Sequence, residues 1–213
     1  MIKQEILSYS KAELVLWLRY EAGSSNPDYF HANKAGGLKL QQVPEEFSEL
    51  LLFIKEKKIK TYLELGIGNG GSFAMMCFFA QETLKKAVAV DDFSYKSLIG
   101  QSEGEVSNFI DAIEVDADIN FINATTDKFF DIANKAYKFD GIFIDADHSY
   151  EAARNDYFNA LEHINKDGII IFHDINSDAC PGIKKLWQEV KQGKTFYEFI
   201  ASKTCGIGVI IIN

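Results

Sequence analysis

The sequence predicts an α/β fold: a mostly parallel sheet with helices on both faces, closed by a hairpin. Three observations predict it. Lys60 to Asp92 (KTYLELGIGNGGSFAMMCFFAQETLKKAVAVDD) reads as strand, glycine turn, apolar helix, strand and terminal acid. Strand-like and helix-like stretches then alternate to residue 191, which dictates parallel pairing through helical crossovers. Two last strand-like runs have no helical pattern between them, so they pair antiparallel.

Taken in order, residues 3–20 carry Ile6, Leu14, Leu16, Trp17 and Leu18 at helical spacing. Residues 22–43 (AGSSNPDYFHANKAGGLKLQQV) are irregular. A loop of this length, with Tyr29, Phe30 and His31 in it, is expected to act as a lid. Residues 1–43 therefore form an N-terminal helix and lid, and 44–213 the main domain. Pro44 opens a helix with Glu45 and Glu46 in its first turn, favourable for the helix dipole. Tyr62–Leu65 is a short apolar run interrupted by Glu64, and a second run stops at Asp91. Helices are expected over 103–113, 126–138 and 150–165, and from Pro181 to Lys191. Strands are expected over 118–123, 140–145, 168–174, 196–202 and 207–212.

Composition narrows the function. The chain has 213 residues and a formal charge of −9, which argues against a nucleic-acid partner, since phosphate binding needs a basic face. The start is too interrupted by charge for a signal peptide. No apolar run approaches the ~20 residues a membrane helix needs. Cys77, Cys180 and Cys205 form no CxxC and no metal-ligand spacing, so a cytoplasmic location with reduced thiols is the expectation. Cys77, in an apolar helix, reads as core. The lysines at 55–60 and 184–194 fit solvated helix faces.

The glycine stretch is the parts list of a nucleotide site. Gly66, Gly68, Gly70 and Gly71 let backbone approach a ligand. The next helix presents free N–H groups, and Asp91, about 20 residues on, can take two ribose hydroxyls. Gly66, Gly68 and Gly71 also spell the dinucleotide fingerprint, so an NAD(P)-dependent oxidoreductase is one reading. No Tyr is followed four residues later by Lys, which removes the short-chain dehydrogenase pair.

The motif LELGIGNGG, with an acid inside strand one, a helix before that strand and a late hairpin, resembles the class I S-adenosylmethionine-dependent methyltransferases. The resemblance covers roughly residues 37–213. It implies a Rossmann-like seven-stranded sheet in the order 3-2-1-4-5-7-6 with the last strand antiparallel. Residues 37–72 and the motif IDADHSYEAARNDY further resemble cation-dependent O-methyltransferases, the caffeoyl-coenzyme A and catechol enzymes among them. IDADHSYE together with HDI is most similar to small bacterial O-methyltransferases related to macrolide-sugar and cephalosporin-tailoring enzymes.

For the cofactor the resemblance implies these roles. The backbone at Gly66 and Gly68, with Glu64, holds the methionine end, and Ser72 touches its carboxylate. Asp91 takes the ribose, and Ala124 and Thr125 face the adenine. Gln41 and Gln42 stand at the entrance, and Phe73, Met75 and Met76 belong to the core.

Strands four and five should be neighbours, about 4.8 Å apart. Their ends bring Asp145, Asp147 and His148 beside His173 and Asp174. Oxygen-rich ligation suits Mg²⁺, and a His ligand shifts the preference toward Mn²⁺ or softer ions. The expected ligands are Asp145 and Asp174, with His173 as third. Ile175 stands where the relatives have a ligating Asn, so Asn176, His173 or water fills that place. His148 falls where the relatives carry a catalytic Lys and, with Asp145, would accept a hydroxyl proton; a helix-start or hydrogen-bonding role is the plainer alternative. Asp147 and Ser149 read as caps of the next helix. His163 reads as a surface residue.

The expected activity is cation-assisted O-methylation of a hydroxylated small molecule: a sugar, an antibiotic-like metabolite or a catechol. No membrane partner is expected, and a homodimer through Trp17 and Leu18 is possible. A non-catalytic cofactor-binding protein and a metal hydrolase remain as other readings.

Overall fold

The computed structural model describes residues 4–20, 40–68, 70–94, 115–134, 136–201 and 203–213. Most of the expected lid, with Tyr29, Phe30 and His31, and the helix expected over 103–113 lie outside the described residues.

A 3-10 turn, Gln4–Ser8, precedes helix α1, Lys11–Tyr20. One helix was expected here. Ser10 divides it: its N–H (2.8 Å) and Oγ (2.7 Å) both donate to Glu13 Oε2, and the Glu13 N–H reaches Ser10 Oγ at 3.4 Å. That is a capping box, and it starts α1 afresh. Leu14 and Leu18 are fully buried, so Leu18 is not available to a second copy.

Helix α2, Pro44–Lys57, precedes β1, Thr61–Leu65. Helix α3, Gly71–Ala80, is buried on all ten residues, as expected of a segment apolar all round, and β2, Lys86–Asp91, follows it. After β3, Asp118–Asn123, helix α4 covers only Thr126–Ile132. It was expected to reach residue 138. Asn134 ends it by accepting the Ala136 N–H on Oδ1 at 2.9 Å, and Ile132 is left 78% exposed. Strand β4, Phe139–Ile144, leads to α5, Tyr150–His163, which passes without a loop into β5, Ile164–Phe172. Helix α6, Pro181–Val190, and strands β6, Thr195–Phe199, and β7, Ile207–Ile211, complete the chain.

The seven strands form one sheet in the order β3-β2-β1-β4-β5-β7-β6. The pairs from β3 to β5 are parallel, and β7 runs antiparallel to β5 and β6. Period-2 alternation sends Tyr62, Ala89, Phe143 and Ile171 to one face, under α1, α2 and α3. It sends Leu65, Val90, Ile144 and Phe172 to the other, under α4, α5 and α6. The resemblance implied this order, and the structure has it.

Glu46 ties the N-terminal half to the hairpin. It was expected only to complement a helix dipole. It is buried, and its two oxygens accept the N–H groups of Ala201 (2.9 Å) and Gly206 (2.8 Å). No helix among the described residues is long and apolar enough to cross a membrane.

Candidate active site

Register alone assembles the site. Leu65 stands beside Val90 on one side and Ile144 on the other, and Ile144 stands beside Phe172. The next residues along the four strands are Gly66, Asp91, Asp145 and His173. Backbone bonds extend the ladder by that step: Gly66 N to Val90 O (2.8 Å), Asp145 N to Leu65 O (2.8 Å), and His173 N to Ile144 O (3.3 Å). Alternation then places Glu64, Asp91, Asp145 and His173 on the same face of the sheet.

At the β1–β2 end, Gly66 has φ +78°, and a Cβ there would lie 2.3 Å from the carbonyl oxygen of Asp145. Only glycine fits. Asp91 Oδ2 accepts the N–H groups of Ile67 (2.9 Å) and Gly68 (3.1 Å), and Oδ1 accepts that of Phe93 at 2.6 Å. The acid expected to hold ribose hydroxyls therefore also pins the glycine turn, and about one of the carboxylate's four lone-pair sites stays open.

Glu64 is fully buried and receives the hydroxyls of Tyr62 and Ser72. Ser72, expected to touch a cofactor carboxylate, donates its Oγ–H to Glu64. Burial pushes the Glu64 carboxyl up to about 8, against the pull of those two hydroxyls. Ala124 donates its N–H to Asp91 O at 3.1 Å. Thr125, expected to face an adenine, caps α4, its Oγ1 accepting from the Lys128 N–H at 3.4 Å.

At the β4–β5 end four ionisable groups meet. Asp145 Oδ1 lies 3.2 Å from His173 Nδ1 and 3.3 Å from His148 Nε2. Asp174 Oδ2 lies 3.4 Å and 3.5 Å from the same two nitrogens. Gln42 Nε2 donates to Asp145 Oδ2 at 3.4 Å, which puts this expected entrance residue on the cluster itself. Burial pushes the Asp145 carboxyl up, but the two imidazoles outweigh it and hold it at about 2. Asp174 is lowered for the same reason. His173 is raised well above its ordinary value: burial opposes this, and the two carboxylates overcome it. His148 is raised chiefly by its hydrogen bond to Asp145. His173 is only 6% exposed, and its Nε2 has no hydrogen-bond partner.

The segment after β5 turns sharply at Asp174. Asp174 adopts φ +60°, a left-handed conformation that non-glycine residues rarely take. The turn is held by Ser177 N to Asp174 O (3.1 Å), Ile175 N to Gly206 O (3.2 Å) and Asn176 N to Cys205 O (2.8 Å). Ile175, where the relatives carry Asn, is buried in the core.

Cys180, at the start of α6, brings its Sγ within 3.4 Å of Asp174 Oδ2. Burial and that carboxylate push its thiol up to about 11. Among the described residues, two groups of three have donor atoms within 4.8 Å of one another: His148–Asp174–Cys180 and His173–Asp174–Cys205. Asp145, expected as a ligand, belongs to neither.

The nearby caps are as expected. Asp147 Oδ1 accepts the Ser149 N–H (2.7 Å), and Ser149 Oγ accepts that of Ala152 (3.4 Å). His163, expected on the surface, is buried, its Nδ1 3.0 Å from Tyr137 O and its ring 5.3 Å from that of Phe130. Sequence spacing gave no sign of Cys180, because its partners come from other segments. Tyr62 did carry a signal: two residues before Glu64 in a strand, it shares that face.

A family described as a methyltransferase domain matches residues 63–175, just over half of the chain. The chain is 26% identical over 147 residues to the uncharacterized protein R132 of Acanthamoeba polyphaga mimivirus. That alignment takes in 65% of this chain and spans 64% of the length of that relative. Among solved structures it is similar to the O-methyltransferase TomG of Streptomyces achromogenes, involved in tomaymycin synthesis and crystallised with S-adenosylmethionine. The identity is 12% and the TM-score 0.58, over 100% of this chain and 91% of that one. An O-methyltransferase from Bacillus cereus, solved with S-adenosylhomocysteine, gives 15% and 0.55 over 99% and 92%. The S-adenosylhomocysteine-bound methyltransferase PaMTH1 of Podospora anserina gives 15% and 0.62 over 100% and 89%. At these identities the likeness is one of fold.

Proposed function

The chain belongs to the methyltransferase-domain family, and from that premise we propose that it moves a methyl group from S-adenosylmethionine to a hydroxyl of a small molecule, with a divalent cation at the acceptor. The observation that carries the proposal is the shared line of register. Gly66 and Asp91 stand one step past it on β1 and β2, and Asp145 and His173 one step past it on β4 and β5. A donor seat and an acid–histidine cluster thus face one crevice, where open α/β sheets bind ligands. TomG and the Bacillus cereus enzyme, which hold S-adenosylmethionine and its product in the same fold, support this choice of donor.

In this reading the backbone at Gly66 and Gly68 takes the methionine end, and Glu64, held by Tyr62 and Ser72, lies behind it. Asp91 keeps the glycine turn in shape and offers its remaining lone pair to the ribose. Ala124 and Thr125 border the adenine side through their backbone. In the transfer the carbon–sulfur bond breaks as the carbon–oxygen bond forms. The acceptor proton passes into the Asp145–His148–His173–Asp174 cluster, and S-adenosylhomocysteine leaves.

The donor set fits a cation: two carboxylates and two imidazoles converge, with His148 Nε2 and His173 Nδ1 each within 3.5 Å of both carboxylates. When bound, such an ion lowers the pKa of the acceptor hydroxyl. The acceptor is a hydroxyl on a sugar, an antibiotic-like metabolite or a catechol. Cys77, Cys180 and Cys205, none of them in a disulfide, suit the reducing cytoplasm.

Calorimetry with S-adenosylmethionine and with NAD tests the donor. Transfer of a labelled methyl group to a panel of sugars, macrolides and catechols tests the acceptor. Binding of NAD without S-adenosylmethionine ends the reading.

A further inference from the structure

We propose that His148, Asp174 and Cys180 form a thiolate-containing site for a borderline transition ion, with Zn²⁺ as its type, and that the site is not an all-oxygen seat for Mg²⁺. The proposal deepens the methyl-transfer reading and rests on it only for what the bound ion does.

The donor atoms carry the argument. All three lie within 4.8 Å of one another, and Asp174 Oδ2 is the hub, 3.5 Å from His148 Nε2 and 3.4 Å from Cys180 Sγ. Tetrahedral ligation with bonds of about 2.0 Å to N and O and about 2.3 Å to S sets neighbouring ligand atoms about 3.3–3.5 Å apart. Two of the three pairs already have that spacing, and the third lies within 4.8 Å. Mg²⁺ demands octahedral oxygen at about 2.0–2.1 Å and has little use for imidazole or thiolate. One nitrogen, one oxygen and one sulfur are instead a set that Zn²⁺, Co²⁺ and Fe²⁺ take.

The three side chains are held for this by separate devices. Asp174 sits in a left-handed turn tied by three backbone bonds. Cys180 is the N-cap residue of α6, which fixes its Cα where the helix meets the turn after β5. Gly182 packs α6 against the turn that carries His148: a Cβ there would lie 2.4 Å from Tyr150 N and 2.6 Å from His148 O. His173, buried with Nδ1 3.4 Å from Asp174 Oδ2, backs the hub from the core side. The His148 side chain is 39% exposed, so the set opens toward solvent on its side, as a catalytic ion site requires. Asp145 lies outside the set, 3.2 Å from His173 Nδ1 and 3.3 Å from His148 Nε2.

The competing arrangement is ion-free: two protonated imidazoles shared between two carboxylates, with the Cys180 thiol donating to Asp174. Cobalt distinguishes the two. Metal-free full-length protein, kept reduced, is titrated with Co²⁺ and followed by absorbance. The expected result is the visible bands of tetrahedral Co²⁺ together with a near-ultraviolet thiolate-to-cobalt band. Cys180→Ser removes that near-ultraviolet band and weakens Zn²⁺, measured against a competing chelator, by more than the roughly 10–100-fold that loss of an outer-shell partner costs. Circular dichroism confirms that the variant is folded.

The proposal is overturned by any of three results: no Co²⁺ binding, a thiolate band that survives Cys180→Ser but vanishes in Cys205→Ser, or Mg²⁺ that saturates the site equally in both proteins. Failure of S-adenosylmethionine to bind while the band appears sinks the methyl-transfer reading alone. Methyl transfer without the band sinks the ion site alone.

Discussion

At the ends of β1 and β2 the chain offers mostly backbone: a glycine at φ +78°, and amides gathered by Asp91. At the ends of β4 and β5 it offers side chains, two imidazoles that each lie within 3.5 Å of both of two carboxylates. The same register line feeds both. A seat made of backbone tolerates almost no change of shape but performs no proton chemistry. A cluster of side chains does the opposite. Damage at the first end should therefore appear as lost folding or donor binding, and damage at the second as lost turnover.

The largest effect should come from Gly66→Ala. Its methyl group would meet Asp145 O at 2.3 Å in a backbone conformation that alanine resists. We expect a loss above about 3 kcal/mol in urea unfolding, with donor binding abolished. A variant that stays stable yet binds no donor would sharpen the contrast.

Next is Glu64, which lies between the two ends. Its folded-state carboxyl, raised to about 8 against 4.5, holds more protons than the unfolded chain between those values. Stability should thus be full below pH 4.5 and fall as pH rises toward 8, by several kcal/mol. Tyr62, Ser72, Cys77, Asp145 and His173 face the carboxyl, and Glu64→Gln should flatten the fall if Glu64 causes it. Urea unfolding at pH 5 and pH 8 measures both proteins.

Asp145→Asn should cut turnover by at least about 100-fold. Its calorimetric donor affinity should hold. An equal loss of both would break the comparison.

The smallest effect is expected at Thr125, which serves as a helix cap here. Thr125→Ala should cost about 1 kcal/mol of stability, and Thr125→Ser much less, with donor affinity the same in both. A weaker donor with unchanged stability would restore the adenine contact.

Both ends of the crevice were legible in the sequence because each is written in consecutive residues. LELGIGNGG gives the glycine turn, Asp91 ends its strand, and DADH and HD end theirs. What was not legible depends on partners far along the chain. Cys180 looked solitary because its neighbours are His148 and Asp174, on separate segments. Glu46 read as a dipole acid because its amide partners lie 155 and 160 residues away. His163 read as surface because nothing in a helical pattern announces that Tyr137 and Phe130 will cover it. Two departures from the helical pattern are local. The Ser10–Glu13 capping box interrupts an otherwise continuous helical pattern, and Asn134 turns the chain out of α4.

Gly182 works as a spacer gauge. The gap it leaves between α6 and the turn at His148 is thinner than one methyl group, and His148 and Cys180 stand on opposite sides of that gap. A graded series at this single position, from Ala to larger residues, would push the imidazole and the thiol apart without altering either. The spacing of the two groups would become an adjustable dimension, and affinity for ions of different radius could be read against it.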